Sequence, residues 1–510
     1  MLKLMITAAA SNSGKTAVTC GLLSLLKRKN YDPCAFKCGP DYIDPMFHRS
    51  VLGISSSNLD VFLAGEDGVK DVFARNSKSH LAAVCEGVMG YYDGVRTSAA
   101  IQTSADVTQP GIASGMTQPP VRAAGDYASA YHVASLLDLP AVLVVRPKGA
   151  ALTLAAVIKG VASFRADSRI CGVIFNDCSE MYYKTYGPAI EEASGVPVLG
   201  YVPHMEEANF ESRHLGLMTA EEITDLAERI DRIGQTMEKT IDLDRLLVLA
   251  GTDASSAADA DGSVAETAWA AEGAAVATKP VLRDTPDTAD AKAAGAPAVR
   301  IAVARDEAFN FIYAETLTAL EDAGAEIVFF SPVHDAGLPV NINGLYLPGG
   351  YPELYGRQLS ENAAMREQIR AAVTAGLPTI AECGGFLYLS SELEDADGNS
   401  WPMVGVLPGS ARNAGKLVRF GYGTIRAARD TMLLREGDEA PVHEFHYWDT
   451  TENGSDMTLT KLSNGKQWDF GYASETLYAG FPHLYFSVQR AMRFVEACEK
   501  AEIDTFHGYE

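Results

Sequence analysis

The sequence predicts an α/β protein of two domains, each built on a parallel sheet with flanking helices. Three observations predict it. The chain has 510 residues, more than a single core holds at roughly 100–200 residues per domain. Short apolar runs alternate with amphipathic stretches in the first half, and the pattern resumes at Val299-Arg300-Ile301-Ala302-Val303. Between them, Gly251 to Ala298 is dominated by Ala, Asp, Thr, Ser and Gly, with Trp269 as its one aromatic residue. Such a stretch buries little and reads as an interdomain linker, partly disordered. The expected organisation is a domain over 1–235, a linker over 251–298 and a domain over 299–510.

Leu2–Ala8 is a short apolar strand. Thr16–Lys29 follows, with Val18, Leu22, Leu23, Leu25 and Leu26 at helical spacing. Leu81–Cys85, Ala141–Val145 and Gly172–Phe175 are further apolar runs, each leading into a polar or Gly/Pro turn. Ligands of such sheets sit beyond the carboxyl ends of the strands. Arg96–Ala124, rich in Ser, Thr, Gln, Pro and Gly, reads as a mobile surface insertion.

Composition excludes several classes. Acids outnumber bases 66 to 42, for a formal charge of −24, the wrong sign for a phosphate-neutralising surface, so no nucleic-acid partner is expected. With 47% hydrophobic and 21% charged residues the chain is of ordinary globular composition. No apolar run approaches the ~18–20 residues of a membrane helix. The apolar start at Met1–Ala10 is too short for a signal peptide and runs at once into Ser13-Gly14-Lys15-Thr16. The eight Cys form no CxxC pair, which points away from a zinc site or disulfide framework and towards a reducing cytoplasm.

Ser11-Asn12-Ser13-Gly14-Lys15-Thr16 lies between the first strand and the first helix, where a P-loop belongs. Its backbone N–H groups and the helix N-terminus would surround phosphate oxygens. Lys15 would reach the β/γ-phosphates, and Thr16 would give its hydroxyl to Mg²⁺. Ala8 and Asn12 stand where glycines are usual; Asn tolerates the left-handed backbone region better than most residues. Acids follow at other strand ends. The Pro-stiffened turn Phe36 to Pro45 carries Lys37, Asp41, Tyr42 and Asp44, and the Val84–Gly94 stretch carries Glu86 and Asp93. Carboxylates beside a P-loop suit Mg²⁺, a hard cation that takes carboxylate and phosphate oxygens. Asn176-Asp177 closes another strand, where it would meet a base or ribose. Gly125–Ser129 opens a helix, its simplest role an N-cap. Arg213 and His214 share a turn that suits anion recognition and a structural salt bridge equally.

The second domain carries a different chemistry. Pro378–Leu389 reads as strand, sharp turn and helix, with Cys383 in the turn. That is a nucleophile elbow, where a helix N-terminus exposes a thiol and lowers its pKa. Backbone N–H groups of Gly350 and Gly384 would form an oxyanion hole. His483, about a hundred residues on, is the candidate base. In Val442–Tyr447, His443, Phe445 and Tyr447 face one way and Glu444 and His446 the other. Ligands on opposite faces cannot share one ion, so a buried polar pair beside the active centre is expected.

Taken together, Lys37–Pro45, Glu86–Gly94, Arg213–Leu217, Glu382-Cys383-Gly384-Gly385 and His443–Tyr447 resemble the glutamine-dependent cobyrinic acid a,c-diamide synthases of cobalamin biosynthesis. The resemblance covers most of both domains and omits the insertion and the linker. It implies a dethiobiotin-synthetase-like P-loop domain followed by a class I glutamine amidotransferase domain. It further implies ATP with Mg²⁺, glutamine as nitrogen donor, and amidation of the a and c acetates of cobyrinic acid through acyl phosphates. By the same resemblance Cys383 is the glutaminase nucleophile and His483 its base. Ser11, Asn12, Ser13, Gly14, Lys15, Thr16 and Asn176 hold the nucleotide. Lys37, Asp41, Tyr42, Asp44 and Asp93 face the substrate, and Thr16, Asp41 and Glu86 face the metal. Typical class I amidotransferases carry a Glu two residues after the His; Tyr485 stands there instead, leaving a Cys–His dyad as in the resembled family. The same reaction on hydrogenobyrinic acid or nickel-sirohydrochlorin is the close alternative. A P-loop regulatory ATPase with an inert amidotransferase-like domain is the distant one. A homodimer is compatible with the sequence.

Overall fold

A computed structural model describes residues 1–95, 125–208, 220–251 and 299–501. The expected insertion at 96–124, the linker from 252 to 298 and the Arg213–Leu217 stretch lie outside the described residues.

The first half forms a seven-stranded sheet of order β3-β2-β4-β1-β5-β6-β7. Its strands are β1 (Leu2–Ala8), β2 (Pro33–Cys38), β3 (Ser56–Leu59), β4 (Ala82–Glu86), β5 (Ala141–Val145), β6 (Ile170–Asn176) and β7 (Val198–Val202). Every pairing is parallel. Unbroken burial along β4 and β5, and along β1 except at Lys3, explains their near-unbroken apolar sequences. The Lys15–Arg28 helix, α1, buries Val18, Leu22, Leu25 and Leu26 on one face of the sheet. Phe36, Cys38, Tyr91 and Tyr131 fill the other face. β3 escapes the sequence reading because it is Ser56-Ser57-Asn58-Leu59, all buried, with no apolar pattern to betray it. Within the expected Gly125–Ser129 cap, Ser129 caps the Ala130–Leu137 helix by accepting from the His132 N–H, and Asp126 pairs with Arg165 at 2.9 Å.

The second half forms a six-stranded sheet. The strands Ala325–Phe330, Val299–Ala304, Gly344–Leu347, Thr379–Glu382 and Leu477–Gly480 run parallel in that order, and Tyr472–Ala473 closes the edge antiparallel. A separate five-stranded antiparallel sheet, unforeseen from the sequence, includes Arg419–Ala427, Glu439–His446 and His483–Leu484. It pairs His443 with His483.

The two halves meet across a buried, largely aromatic seam of Tyr313, Tyr485 and the aliphatic Leu63, flanked by Tyr42, Phe62 and Tyr422. Polar contacts cross it. The Asn58 N–H donates to Glu315 at 2.9 Å, and Tyr422 OH donates to Asp60 at 2.6 Å.

Candidate active site

β2, β4 and β1 are neighbours, so their carboxyl ends bring the phosphate-end residues together. The register sets Lys37 opposite Glu86. Between β1 and α1, Asn12 adopts φ 62° and Gly14 φ 88°, so the left-handed turn expected of Asn12 is made. A Cβ on Gly14 would lie 2.0 Å from the Asn176 amide nitrogen; only Gly lets the loop approach the end of β6 so closely. Asn176 donates to the Ser13 carbonyl at 3.0 Å. Gly14, Arg146, Asn176, Asp177, Pro203 and His204 line a cavity of about 580 Å³ beside the loop, large enough for a nucleoside.

The charged groups here are loaded against one another. Lys15 Nζ donates to the Met89 carbonyl at 2.6 Å. Lys37 Nζ lies 2.5 Å from Asp44, 2.9 Å from Glu86 and 3.9 Å from Asp41. Burial pushes the Lys37 pKa down, but the charges of Asp44, Glu86 and Asp41 outweigh it and hold the ammonium protonated. Burial, followed by the charge of Lys37, pushes Lys15 the other way, below the ordinary lysine value. Glu86 is fully buried, and burial raises its pKa to about 7. Burial followed by the Asp44 charge raises Asp41 to about 6. Asp44 itself is lowered, since Lys37 overcomes its own desolvation.

A divalent cation has a fitting pair of ligands here. Thr16 Oγ1 donates to Glu86 Oε1 at 2.8 Å, while Glu86 Oε2 is buried with no hydrogen-bond partner. An orphaned carboxylate oxygen beside a P-loop hydroxyl suits Mg²⁺ completed by phosphate and water. Asp41 is differently engaged: its Oδ1 accepts from the Ile43 and Asp44 N–H groups at the start of the next helix. Among the described residues no three His, Cys, Asp or Glu side chains converge on one ion position. Asp93 accepts from the Gly90 N–H at 3.0 Å, bracing the loop after β4.

The thiol end is built around Cys383, which sits at φ 45°, ψ −101° between Thr379–Glu382 and a helix over Gly384–Leu389. The strained elbow is therefore present. Its expected electrostatics are not. Burial pushes the thiol pKa well up, and Glu353, Glu444 and Glu382 push it further; the Gly384 N–H opposes them too weakly to win. The thiol is 7% exposed, and a six-residue helix cannot offset burial beside three carboxylates. His483 is 2% exposed, and its ring passes over Gly349, where a Cβ would lie 2.4 Å from Cε1. Gly350 and Gly384 approach closely: a Cβ on Gly384 would lie 2.9 Å from the Gly350 nitrogen.

The alternation read in Val442–Tyr447 holds. Glu444 and His446 are both buried and pair at 3.2 Å, with His446 stacked on Phe481 at 3.7 Å. The strand runs beside the thiol, with Cys383 Sγ 4.0 Å from the Phe445 carbonyl. Burial, followed by His483, lowers the His443 pKa to about 3.

Tyr42 joins the two ends. It leaves the Asp41–Asp44 turn of the first half and packs its ring 5.2 Å from His483, with Tyr313 at 4.4 Å and Phe311 at 5.3 Å. The sequence reading missed this contact, as it missed the pairing of Asp177 with Arg146 and His204 and the proximity of Glu382 to His483. None of these pairs is signalled by spacing along the chain.

Comparison with known proteins converges on the same chemistry. Residues 4–217 match the family described as CobQ/CobB/MinD/ParA nucleotide binding domain. Residues 300–491 match the CobB/CobQ-like glutamine amidotransferase domain. The chain is 36% identical to the cobyrinate a,c-diamide synthase of Clostridium acetobutylicum, over 95% of this chain and 97% of the relative. It is 33% identical to that of Caldanaerobacter subterraneus, over 97% and 98%, and 33% identical to that of Priestia megaterium, over 98% of both.

Proposed function

We propose that this chain, which belongs to the cobyrinate a,c-diamide synthase family of glutamine-dependent ligases, amidates the a and c acetate carboxylates of cobyrinic acid through acyl phosphates. ATP, glutamine and the tetrapyrrole are its substrates. Residues 1–235 act as the amidation domain and 299–510 as the amidotransferase domain. One observation carries the reading: Tyr42 touches His483 while its own turn supplies Asp41 and Asp44 to the Lys37 cluster. A nitrogen-releasing site and an acid-activating site thus lie back to back.

At the thiol end, His483 takes the Cys383 proton, and the sulfur attacks the glutamine amide carbon. Gly350 and Gly384 N–H groups meet the developing oxyanion. The C–N bond breaks, the proton passes from His483 to the leaving ammonia, and water later releases glutamate from the thioester. With its ordinary thiol pKa raised by burial, Cys383 is deprotonated only when glutamine and His483 are in place together.

At the phosphate end, a substrate carboxylate attacks the γ-phosphate of ATP, ADP leaves, and ammonia then displaces phosphate from the acyl phosphate. A free carboxylate is a poor electrophile because its charge repels nucleophiles; phosphorylation supplies a leaving group. Lys15 turns from the Met89 carbonyl to the phosphates. Lys37, released from part of its acid cluster, neutralises the incoming carboxylate. Thr16 and Glu86 would hold Mg²⁺, which when bound would neutralise charge at the phosphates. Asn176 and the neighbouring cavity take the nucleoside. Ammonia crosses the aromatic seam by an enclosed route, since in water it would protonate and lose its nucleophilicity. A reducing cytoplasm is the expected setting.

Mass spectrometry of products formed with ATP and glutamine tests the substrate. Cobyrinic acid gaining two amides supports the proposal; amidation of hydrogenobyrinic acid or nickel-sirohydrochlorin in its place would replace the substrate and keep the mechanism.

A further inference from the structure

A Cys–His pair needs something to hold the imidazole, and the usual position for that acid, two residues after His483, is Tyr485. Tyr485 is committed elsewhere. It is buried in the interdomain seam, its ring 5.5 Å from Tyr313.

We infer that Glu382, the residue before the nucleophile, is the positioning residue that orients His483. Its Oε2 lies 3.8 Å from His483 Nδ1, and it is the one carboxylate within 4 Å of a ring nitrogen of His483 among the described residues. Glu382 is 1% exposed and held from two sides: Tyr346 OH donates to Oε2 at 2.9 Å, and the Leu484 N–H donates to Oε1 at 2.9 Å. It therefore ties the strand that carries Cys383 to the segment that carries His483. His483 Nδ1 is buried with no hydrogen-bond partner, a costly state for a polar atom. The nearby Glu444 is already occupied by His446 and Arg419. At 3.8 Å no hydrogen bond exists, but catalytic hydrogen bonds are often long before substrate binds and tighten in the complex. Closing the gap places the Nδ1–H against Glu382 and leaves Nε2 for the thiol proton. Glu382 itself exchanges no proton; it fixes the tautomer and stabilises the imidazolium, as the buried acid of a hydrolase triad does.

This inference rests on the glutaminase reading of Cys383. Its test measures glutamine-supported and ammonium-supported amidation of cobyrinic acid by wild type, Cys383→Ala, Glu382→Gln and Tyr346→Phe. Glutamine keeps the shape and an oxygen acceptor for Leu484 but removes the charge. Glu382→Gln is expected to lose about 10²-fold or more in glutamine-supported kcat, of the order seen for tautomer-setting acids and their outer-shell partners. Its KM for glutamine and its ammonium-supported rate stay within about threefold of wild type, a split that general unfolding would not give. Tyr346→Phe, which removes one of the two hydrogen bonds to the carboxylate, shows a smaller loss in the same sense. A glutamine-supported rate in Glu382→Gln within about threefold of wild type overturns the inference, as does an equal fall with both nitrogen sources. If Cys383→Ala still uses glutamine, the underlying reading of the thiol fails and this inference with it. If Cys383→Ala is dead with glutamine and Glu382→Gln is not, only the inference fails.

Discussion

The two chemical ends of this molecule are prepared in opposite ways. At the phosphate end the reactive groups are already satisfied: Lys37 lies between Asp44 and Glu86, and Lys15 holds the Met89 carbonyl. In the proposed reaction, substrate breaks those contacts and replaces them with phosphate and carboxylate oxygens. At the thiol end the groups are buried and under-partnered. Cys383 Sγ has a long 4.0 Å contact to the Phe445 carbonyl and weak help from the Gly384 N–H, and His483 Nδ1 has no hydrogen bond. Under the proposed function, internal ion pairing keeps the first site from idle phosphate chemistry, and a protonated thiol keeps the second from idle hydrolysis. On that reading, each becomes active only when its ligand completes it.

The sharpest way to break that comparison is to remove one end at a time. Cys383→Ala should lower glutamine-supported amidation by about 10⁴-fold or more, the scale for deleting a nucleophile, while ammonium-supported amidation persists. Lys15→Ala should reduce amidation with both nitrogen sources by about 10²–10³-fold, since the phosphate end serves either. Product formation followed by mass spectrometry reads both. If the two variants gave the same pattern, the division of labour would be wrong.

A smaller effect sharpens the claim that the thiol end is built for burial. His443 titrates at 6.5 in its ordinary state and at about 3 when folded, chiefly because of burial. The unfolded chain therefore takes up a proton that the native chain refuses as pH falls below 6.5. Stability from this group is present above that value and is lost on acidification, by about 2 kcal/mol between pH 7 and 5. Denaturant titrations at the two pH values should show a shallower loss in His443→Gln. An undiminished slope would mean that the residue is not buried as described.

The smallest effect is expected at the rim of the seam. Arg75 and Asp322 pair at 2.6 Å across the two halves, with both side chains largely exposed. Arg75→Ala should cost under about 1 kcal/mol in urea unfolding and leave the ratio of glutamine-supported to ammonium-supported rates unchanged. A changed ratio would show that the rim, rather than the buried contact of Tyr42 with His483, couples the ends.

What the sequence revealed and what it hid follow one physical line. The P-loop, its left-handed Asn12, the elbow at Cys383 and the alternation in His443–Tyr447 are local: each depends on residues adjacent in the chain, and each is present in the fold. The raised pKa of the Cys383 thiol is not local. It comes from burial and from Glu353 and Glu444, which other elements deliver, so a helix N-terminus read from sequence gave the opposite sign. Glu382 reaches Leu484 across 102 positions, and Tyr42 meets His483 from the other half of the chain. β3 went unseen because its buried residues are polar.

The central claim is that nitrogen freed at Cys383 is used at the Lys15 site without entering solvent. Amide-¹⁵N glutamine supplied with an excess of unlabelled ammonium tests it directly, by the isotope content of the amidated tetrapyrrole. Wild type should give product carrying ¹⁵N largely undiluted, and Cys383→Ala product with none. Label diluted in proportion to the external ammonium in wild type, or ¹⁵N retained in the Cys383→Ala product, would contradict it.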